Sequence, residues 1–317
     1  MKRSTPRSFE VRVPASTANL GAGFDCFGLA LNLYLTVQAR VQSGWNARTT
    51  VRSHGVPGSS NLPSAPAENL ILCAMRHAAD QENLDLPQLH LAVRNEIPIG
   101  GGLGSSAAAI VAGISLAFAV NGKKMPEQAA LRLAADLEKH TDNIGAALLG
   151  GLVVSFVADG GRVIAVKKKW PKEIRVIAAS PKMSLATHAS RAALPKAVEH
   201  TDAVHNLQRS ALLLAALEAK RYDLIWDAMQ DRLHQDYRQA LVPGLDEALS
   251  IPRMTGLLGV ALSGAGPSVI VLATANFKEI GKELARRFRR GGPGVTIRSL
   301  AVDQKGIQLT KKTRIGK

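Results

Sequence analysis

The sequence predicts a mixed fold of helices and sheets, α/β or α+β rather than all-β, and three observations carry that prediction. Alanine, leucine and valine fill the apolar positions, while aromatic residues make up only 4% of the chain, a balance that suits packed helices better than a β-sandwich. Strand-like alternation and helix-like periodicity take turns along the chain. A glycine-rich run at 98–108 opens directly into an apolar stretch of helical composition at 107–120. With 317 residues, 46% of them hydrophobic, the chain is long enough for about two domains with cores of their own.

In chain order, residues 9–13 alternate as a short strand and residues 32–41 as another, with an intervening segment at 14–31 that reads as turn residues and a short helix. Residues 54–67 are rich in Pro, Ser and Gly and read as a surface loop. A helix is expected over 69–82 and a strand over 88–95, leading to the glycine-rich run. The apolar run 107–120 falls short of the roughly 18 residues that span a bilayer, so it reads as a buried helix. A helix over 126–139 begins with Pro126, which suits a first helical turn. An apolar hairpin follows, 150–158 and 162–166, across Asp159, Gly160 and Gly161. Lys167, Lys168 and Lys169 before Trp170 and Pro171 mark a domain boundary. Beyond it come a strand over 174–180, amphipathic helices over 205–218 and 222–233, and strands over 259–262 and 269–273 joined by a second glycine-rich segment, 263–268. A helix over 277–290 and a strand over 294–302 close the chain.

Two cysteines, Cys26 and Cys73, are too few for a disulfide framework or a zinc site, and the first six residues lack an apolar signal core. A reducing cytoplasm is the expected location, with no membrane partner. The formal net charge is +15, and the last 40 residues hold twelve Lys or Arg against three acidic residues. Phe288 is the one aromatic residue interleaved with the basic run Arg286, Arg287, Arg289 and Arg290. That favours a solvated helix face over a nucleic-acid surface, which needs stacking rings.

The run at 98–108 reads as a phosphate cradle. Gly100, Gly101, Gly102 and Gly104 let the backbone adopt positive φ and bring several N–H groups to one anion, and the following helix adds unpaired N–H groups and a positive dipole end. Ser105 and Ser106 stand where one hydroxyl can cap that helix and the other can ligate a phosphate-bound magnesium ion. A P-loop is excluded, because no lysine stands between Arg94 and Lys123. A dinucleotide loop is excluded by Ser105, where a third glycine belongs.

Three segments occur in a telling order: Pro14-Ala-Ser-Thr-Ala-Asn-Leu-Gly-Ala-Gly-Phe-Asp25, the run from Pro98 through Ile99 and Leu103 to Ala107 and Ala108, and Ser263-Gly-Ala-Gly-Pro-Ser268. In this the chain resembles the GHMP small-molecule kinases. Glu138-Lys-His-Thr-Asp-Asn143, Thr187-His-Ala-Ser-Arg191, His205-Asn206 and the stretch from His234 through Arg238 to Gly244 resemble the homoserine kinase branch of that family. The resemblance spans about residues 9–300. The branch commonly has Gly and Pro where this chain has Lys139 and Thr141, so a less tightly turned loop is expected there.

The resemblance implies an α+β GHMP fold: an N-terminal ATP-binding domain with a left-handed βαβ unit, residues 1–168, and a ferredoxin-like C-terminal domain, residues 169–317. It implies ATP-dependent phosphorylation of the side-chain hydroxyl of L-homoserine in threonine biosynthesis, with ATP on the glycine-rich run and Mg²⁺ on Ser105 and Glu138. A homodimer is compatible with it. Asn69 is expected near the adenine or as a helix cap. For an amino-acid acceptor, Arg191 and Arg238 are the fork for the carboxylate, while Asp25 and Asp142 face the ammonium or the hydroxyl. Asn19, Asn143 and Thr187 supply further hydrogen bonds, and His140 and His205 line the substrate. Some GHMP kinases hold a general-base aspartate where Asn143 stands. An amide cannot take the proton, so Asn143, Asp142 and Asp25 are expected to act by positioning and electrostatics. Another GHMP acceptor (mevalonate, a diphosphocytidyl-erythritol, shikimate or a sugar) and a non-catalytic GHMP-fold binding protein are the alternatives. Paired arginines favour an amino acid over the first, and retention of Ser105, Glu138 and Asp142 favours an enzyme over the second.

Overall fold

The computed structural model describes residues 8–42, 49–55, 62–63, 65 and 67–312. Its first sheet is built on a long antiparallel hairpin, β1 (Ser8–Ala18) with β2 (Phe27–Val41). β3 (Thr50–Gly55) and β4 (Leu89–Asn95) pair parallel and are connected through α1 (Leu70–Glu82), a βαβ unit. β4 pairs with the far half of β2, and the near half of β2 pairs with the hairpin β5 (Leu152–Val157) and β6 (Val163–Lys168). Three helices fill the space behind: α2 (Ser105–Val120), α3 (Glu127–Leu137) and α4 (Thr141–Leu149). α2 is buried on every side from Ala107 to Val120, as expected of a helix apolar all round.

The second sheet runs β10 (Val295–Leu300), β7 (Arg175–Pro181), β9 (Val269–Ala273), β8 (Leu257–Leu262), all antiparallel. Helices between β7 and β8 and between β9 and β10 complete a ferredoxin-like βαββαβ order. The first connection holds α5 (Thr187–Ala192), α6 (His200–Glu218), and the short turns α7 (Ile225–Ala228), α8 (Gln235–Arg238) and α9 (Leu245–Leu249); the second is α10 (Phe277–Gly291). The last strand, β11 (Gln308–Lys312), crosses back and pairs with β1, so the two lobes are tied at both ends of the chain. Behind the lysines at 167–169, Trp170 is buried and its indole N–H donates to the Ile174 carbonyl at 2.9 Å.

Several elements differ from expectation for identifiable reasons. The first strand runs on to Ala18, and residues 14–31 contain no helix. Asn19, Leu20 and Gly21 hold successive positive φ of 74°, 48° and 79°, a sequence of conformations no right-handed helix accepts. The helix expected over 222–233 shrinks to a 3₁₀ turn and α7, because the Asp231 carboxylate collects the N–H groups of Leu233, His234 and Gln235 and starts a new turn there. Most of the loop expected at 54–67 lies outside the described residues.

Candidate active site

A cleft of about 740 Å³ opens where the two sheets meet, lined by the glycine-rich loop, the 19–25 turn, the α3–α4 junction, α5, Arg238 and the 264–266 turn. Of the residues singled out above, Asn19, Asp25, Pro98, Gly100, Gly101, Gly102, Gly104, Ser105, Ser106, Glu138, His140, Asp142, Asn143, Thr187, Arg191 and Arg238 all line it.

At one end lies the loop. Its carbonyls are tied away from the cleft: that of Gly100 accepts from the Leu185 N–H at 3.0 Å, that of Gly101 from the Ser268 N–H at 3.3 Å, and that of Gly102 from the Ser263 hydroxyl at 2.6 Å. A Cβ on Gly102, whose φ is +75°, would lie 2.5 Å from the Ser263 carbonyl oxygen, so close packing of the second glycine-rich segment on the loop is limited at Gly102. The N-cap of α2 is Gly104, with φ +71° and no side-chain cap. Neither serine takes the cap position, which the left-handed glycine occupies, and both serines line the cleft beside the uncapped first turn. A Cβ on Gly104 would sit 2.0 Å from the Ser16 Oγ. Leu103, Ala107 and Ala108 are buried beneath the loop, and Ile99 is 37% exposed outside the lining.

Glu138 caps the C-terminus of α3 in extended backbone and turns into the cleft. Burial, then the neighbouring Asp142 charge, raises its carboxyl to about 7, against a hydrogen bond from the Ser106 hydroxyl. Its Oε2 is buried without a hydrogen-bond partner. The hydroxyl against Glu138 is therefore that of Ser106, with Ser105 one residue away on the lining. The junction needs no glycine: Lys139 is exposed and not in the left-handed region, and Thr141 is buried as the first residue of α4.

At the other end, Arg191 on α5 makes an ion pair with Asp25, and its Nε is buried with no partner. Asp25 stands on a turn held by Asn19, whose Oδ1 accepts from the Asp25 N–H at 3.1 Å and whose Nδ2 donates to the Gly264 carbonyl at 3.0 Å. Arg238 is only 1% exposed, and burial followed by the Arg191 charge lowers its guanidinium to about 10. The Phe24 ring lies 5.6 Å from the Arg191 guanidinium and 5.4 Å from that of Arg238. Between the two ends, buried Asp142 accepts from the Asn143 N–H at 2.6 Å and Nδ2 at 3.0 Å, and the Asn143 Oδ1 accepts from the Ser16 hydroxyl at 2.8 Å. Burial, with the Asp25 charge, raises the Asp142 carboxyl to about 6. His140 is held below its ordinary range by burial and the nearby Arg191.

Residues 69–151 match the N-terminal domain of the GHMP kinases and residues 213–290 match their C-terminal domain. The chain is 38% identical to a homoserine kinase from Solibacter usitatus, over 96% of this chain and 97% of that one. This chain belongs to the homoserine kinase branch of the GHMP kinases. It is also 37% identical to a homoserine kinase from Saccharomyces cerevisiae, over 90% and 94% of the two chains. A crystal structure of homoserine kinase from Cytophaga hutchinsonii superposes with a TM-score of 0.83 at 27% identity, covering 98% of this chain and 99% of that one. Membership in a kinase family carries the use of ATP and a small-molecule acceptor. Among the described residues no helix is long and apolar enough to cross a membrane.

Besides Ile99, Leu103, Ala107 and Ala108, the expected site residues Asn69 and His205 stand outside the cleft lining. Asn69 caps α1: its Oδ1 accepts from the N–H groups of Ile71 and Leu72 and its Nδ2 donates to the Pro63 carbonyl. That occupies its oxygen and one of its two N–H groups, and it does not line the cleft. His205 does not line it either. It sits on α6 beside Arg209 and Arg232, because successive helical residues point about 100° apart and it is Asn206 that turns inward, donating to the Ala22 carbonyl at 3.2 Å. Sequence reasoning missed Ser16, Phe24, Leu185 and His234. Phe24 and Ser16 lie within the first quoted segment, and His234 precedes Arg238 by one helical turn, the spacing that brings side chains together.

Proposed function

We propose that this chain transfers the terminal phosphoryl group of ATP to the side-chain hydroxyl of L-homoserine, giving O-phospho-L-homoserine. One observation carries the reading: a single cleft has an anion cradle at one end and, at the other, two arginines and two aspartates arranged as a receptor for both charges of an amino acid. The loop at 100–106 and the first turn of α2 hold the triphosphate through N–H groups. Glu138 fits a divalent cation, since its unpartnered buried Oε2 sits beside the hydroxyl of Ser106 and one residue from Ser105. Mg²⁺ bound there supplies neutralisation of the phosphate charge that develops during transfer.

Arg191 and Arg238 take the carboxylate, Arg238 through the Nη2 that its protein partners leave, and Asp25 takes the ammonium. Asn19 holds the Asp25 turn, and Thr187 and His140 supply polar contacts. Asn143 orients the hydroxyl: with Ser16 on its oxygen and Asp142 on its nitrogen, the amide is fixed in plane and keeps one further donor and acceptor site. Since the amide takes no proton, the hydroxyl proton leaves late, to a phosphate oxygen or water, and the rate rests on alignment and charge stabilisation. The cytoplasm, where ATP is made and the free Cys26 and Cys73 stay reduced, is the compartment this reading assigns.

The test compares L-homoserine with its two single-charge analogues, 4-hydroxybutyrate and 3-aminopropan-1-ol. Each lacks the charge that one end of the receptor is built to hold, so kcat/KM falls by about 100-fold or more for both. Equal turnover of either analogue contradicts the amino-acid reading.

A further inference from the structure

His234 is fully buried between two parts of the acceptor end that come from distant stretches of chain. On one side its Nδ1 accepts from the Arg238 Nη1–H at 3.0 Å. On the other, its Nε2–H donates to the Gly21 carbonyl at 3.0 Å, in the turn that carries Asp25. An arginine can only donate, so the tautomer is assigned by this network: neutral imidazole with its proton on Nε2. The ring is stacked on Phe24 at a centroid distance of 5.0 Å and an interplanar angle of 20°. The backbone N–H of His234 donates to the Asp231 carboxylate at 3.0 Å, and that carboxylate also accepts from the Asn206 Nδ2 at 2.7 Å. The imidazole is therefore clamped from both sides.

The other acceptors of Arg238 are also neutral, the Gly264 carbonyl at 3.1 Å and the Ser190 carbonyl at 3.4 Å. Among the described residues no carboxylate forms an ion pair with it, although Arg191 beside it has Asp25. A buried guanidinium ordinarily demands a charged partner. Here neutral acceptors take Nε and Nη1, no partner among the described residues is bonded to Nη2, and the Asp25 and Asp231 charges act on the guanidinium without an ion pair, which leaves its charge and Nη2 for an incoming carboxylate. A neutral histidine does this where an aspartate or glutamate would cancel the charge.

We infer that His234 is a positioning residue: it fixes the Arg238 fork against the 19–25 turn through a neutral acceptor, and so sets the affinity for the acceptor amino acid. The inference rests on the reading of Arg238 and Asp25 as substrate contacts. His234 touches no reacting atom and has no part in holding ATP.

Two amide variants separate its two bonds. In His234→Gln the amide NH₂ reaches toward Gly21, and Arg238 loses its acceptor; in His234→Asn the amide oxygen stands near the Nδ1 position and keeps that bond. With folding checked by thermal melting, His234→Gln raises the KM for L-homoserine about 10-fold, the loss of one hydrogen bond to a charged group, while kcat and the KM for ATP stay within about twofold. His234→Asn restores the homoserine KM to within about threefold of the parent, and in an Arg238→Lys background His234→Gln adds less than about twofold, because the two residues act as one unit. An unchanged homoserine KM in His234→Gln, an equal rise in both KM values, or fully multiplicative losses in the double variant overturns the inference. A parent protein that does not turn over L-homoserine contradicts the substrate reading instead.

Discussion

At the scale of single residues, the cleft is dominated by carboxylates held away from water. Glu138 has its carboxyl raised from its ordinary 4.5 to about 7 by burial and by Asp142. The folded chain thus keeps a proton that the unfolded chain has released between those values, so this group's contribution to stability is present below about 4.5 and is lost as pH rises to about 7. Glu138→Gln removes that dependence: the difference in melting temperature between pH 5.5 and pH 8 is smaller in the variant than in the parent, without ligand. A divalent cation needs the charged carboxylate, so in the parent the apparent Mg²⁺ affinity in ATP turnover weakens as pH falls below about 7. Unchanged melting behaviour in the variant contradicts this account of Glu138. Asn143 makes a different prediction, since in the proposed function it aligns the hydroxyl and moves no proton. Asn143→Ala lowers kcat/KM for homoserine by about 10- to 100-fold through the loss of its hydrogen bonds, with the larger part in KM. Total loss of turnover with normal substrate binding assigns it a chemical role instead.

At the scale of elements, the glycine-rich loop and α2 were legible in the sequence because their signal is local: glycines, then a run apolar on every face. The parallel pairing of β3 with β4 and the return of β11 to β1 were not, because sheet partners are set by distant contacts. The 14–31 segment was misread for a similar reason. Turn residues and a short helix are expected there, but Asn19 and Leu20 take left-handed backbone, held within the segment by the Asp25 N–H on the Asn19 Oδ1 and from outside by the Asn19 bond to the Gly264 carbonyl. Arg191 and Arg238 were recognised by their motifs, whereas His234 became meaningful only when its two bonds were seen. His205 shows the converse error, since a motif places a residue on a helix without saying which way it faces. The junction of loop and helix carries its own prediction. Gly104→Ala puts a Cβ 2.0 Å from the Ser16 Oγ at a φ of +71°, costing about 1–3 kcal/mol. A lower melting temperature and a raised KM for ATP are expected, measured by calorimetry and steady-state kinetics. An unchanged KM for ATP contradicts the placement of ATP on this loop.

At the scale of the whole molecule, the cleft belongs to neither sheet alone. The loop and α4 come from the first sheet's layer, Arg191, Arg238 and the 264–266 turn from the second, and the Ser263 hydroxyl bonded to the Gly102 carbonyl joins them. On the proposed reading the first lobe holds the phosphoryl donor and both lobes hold the acceptor, an arrangement that can bring donor and hydroxyl into line. The chain's charge of +15 adds a general attraction for anionic nucleotides but does not choose the acceptor; in the proposed function the paired arginines and aspartates do. The most direct measurement of that choice is ADP release from Mg-ATP by the purified protein with L-homoserine, mevalonate, shikimate or galactose as the acceptor. L-Homoserine alone is expected to stimulate ADP release well above the acceptor-free rate. No homoserine-dependent ADP, or a larger response to one of the other three, contradicts the central claim.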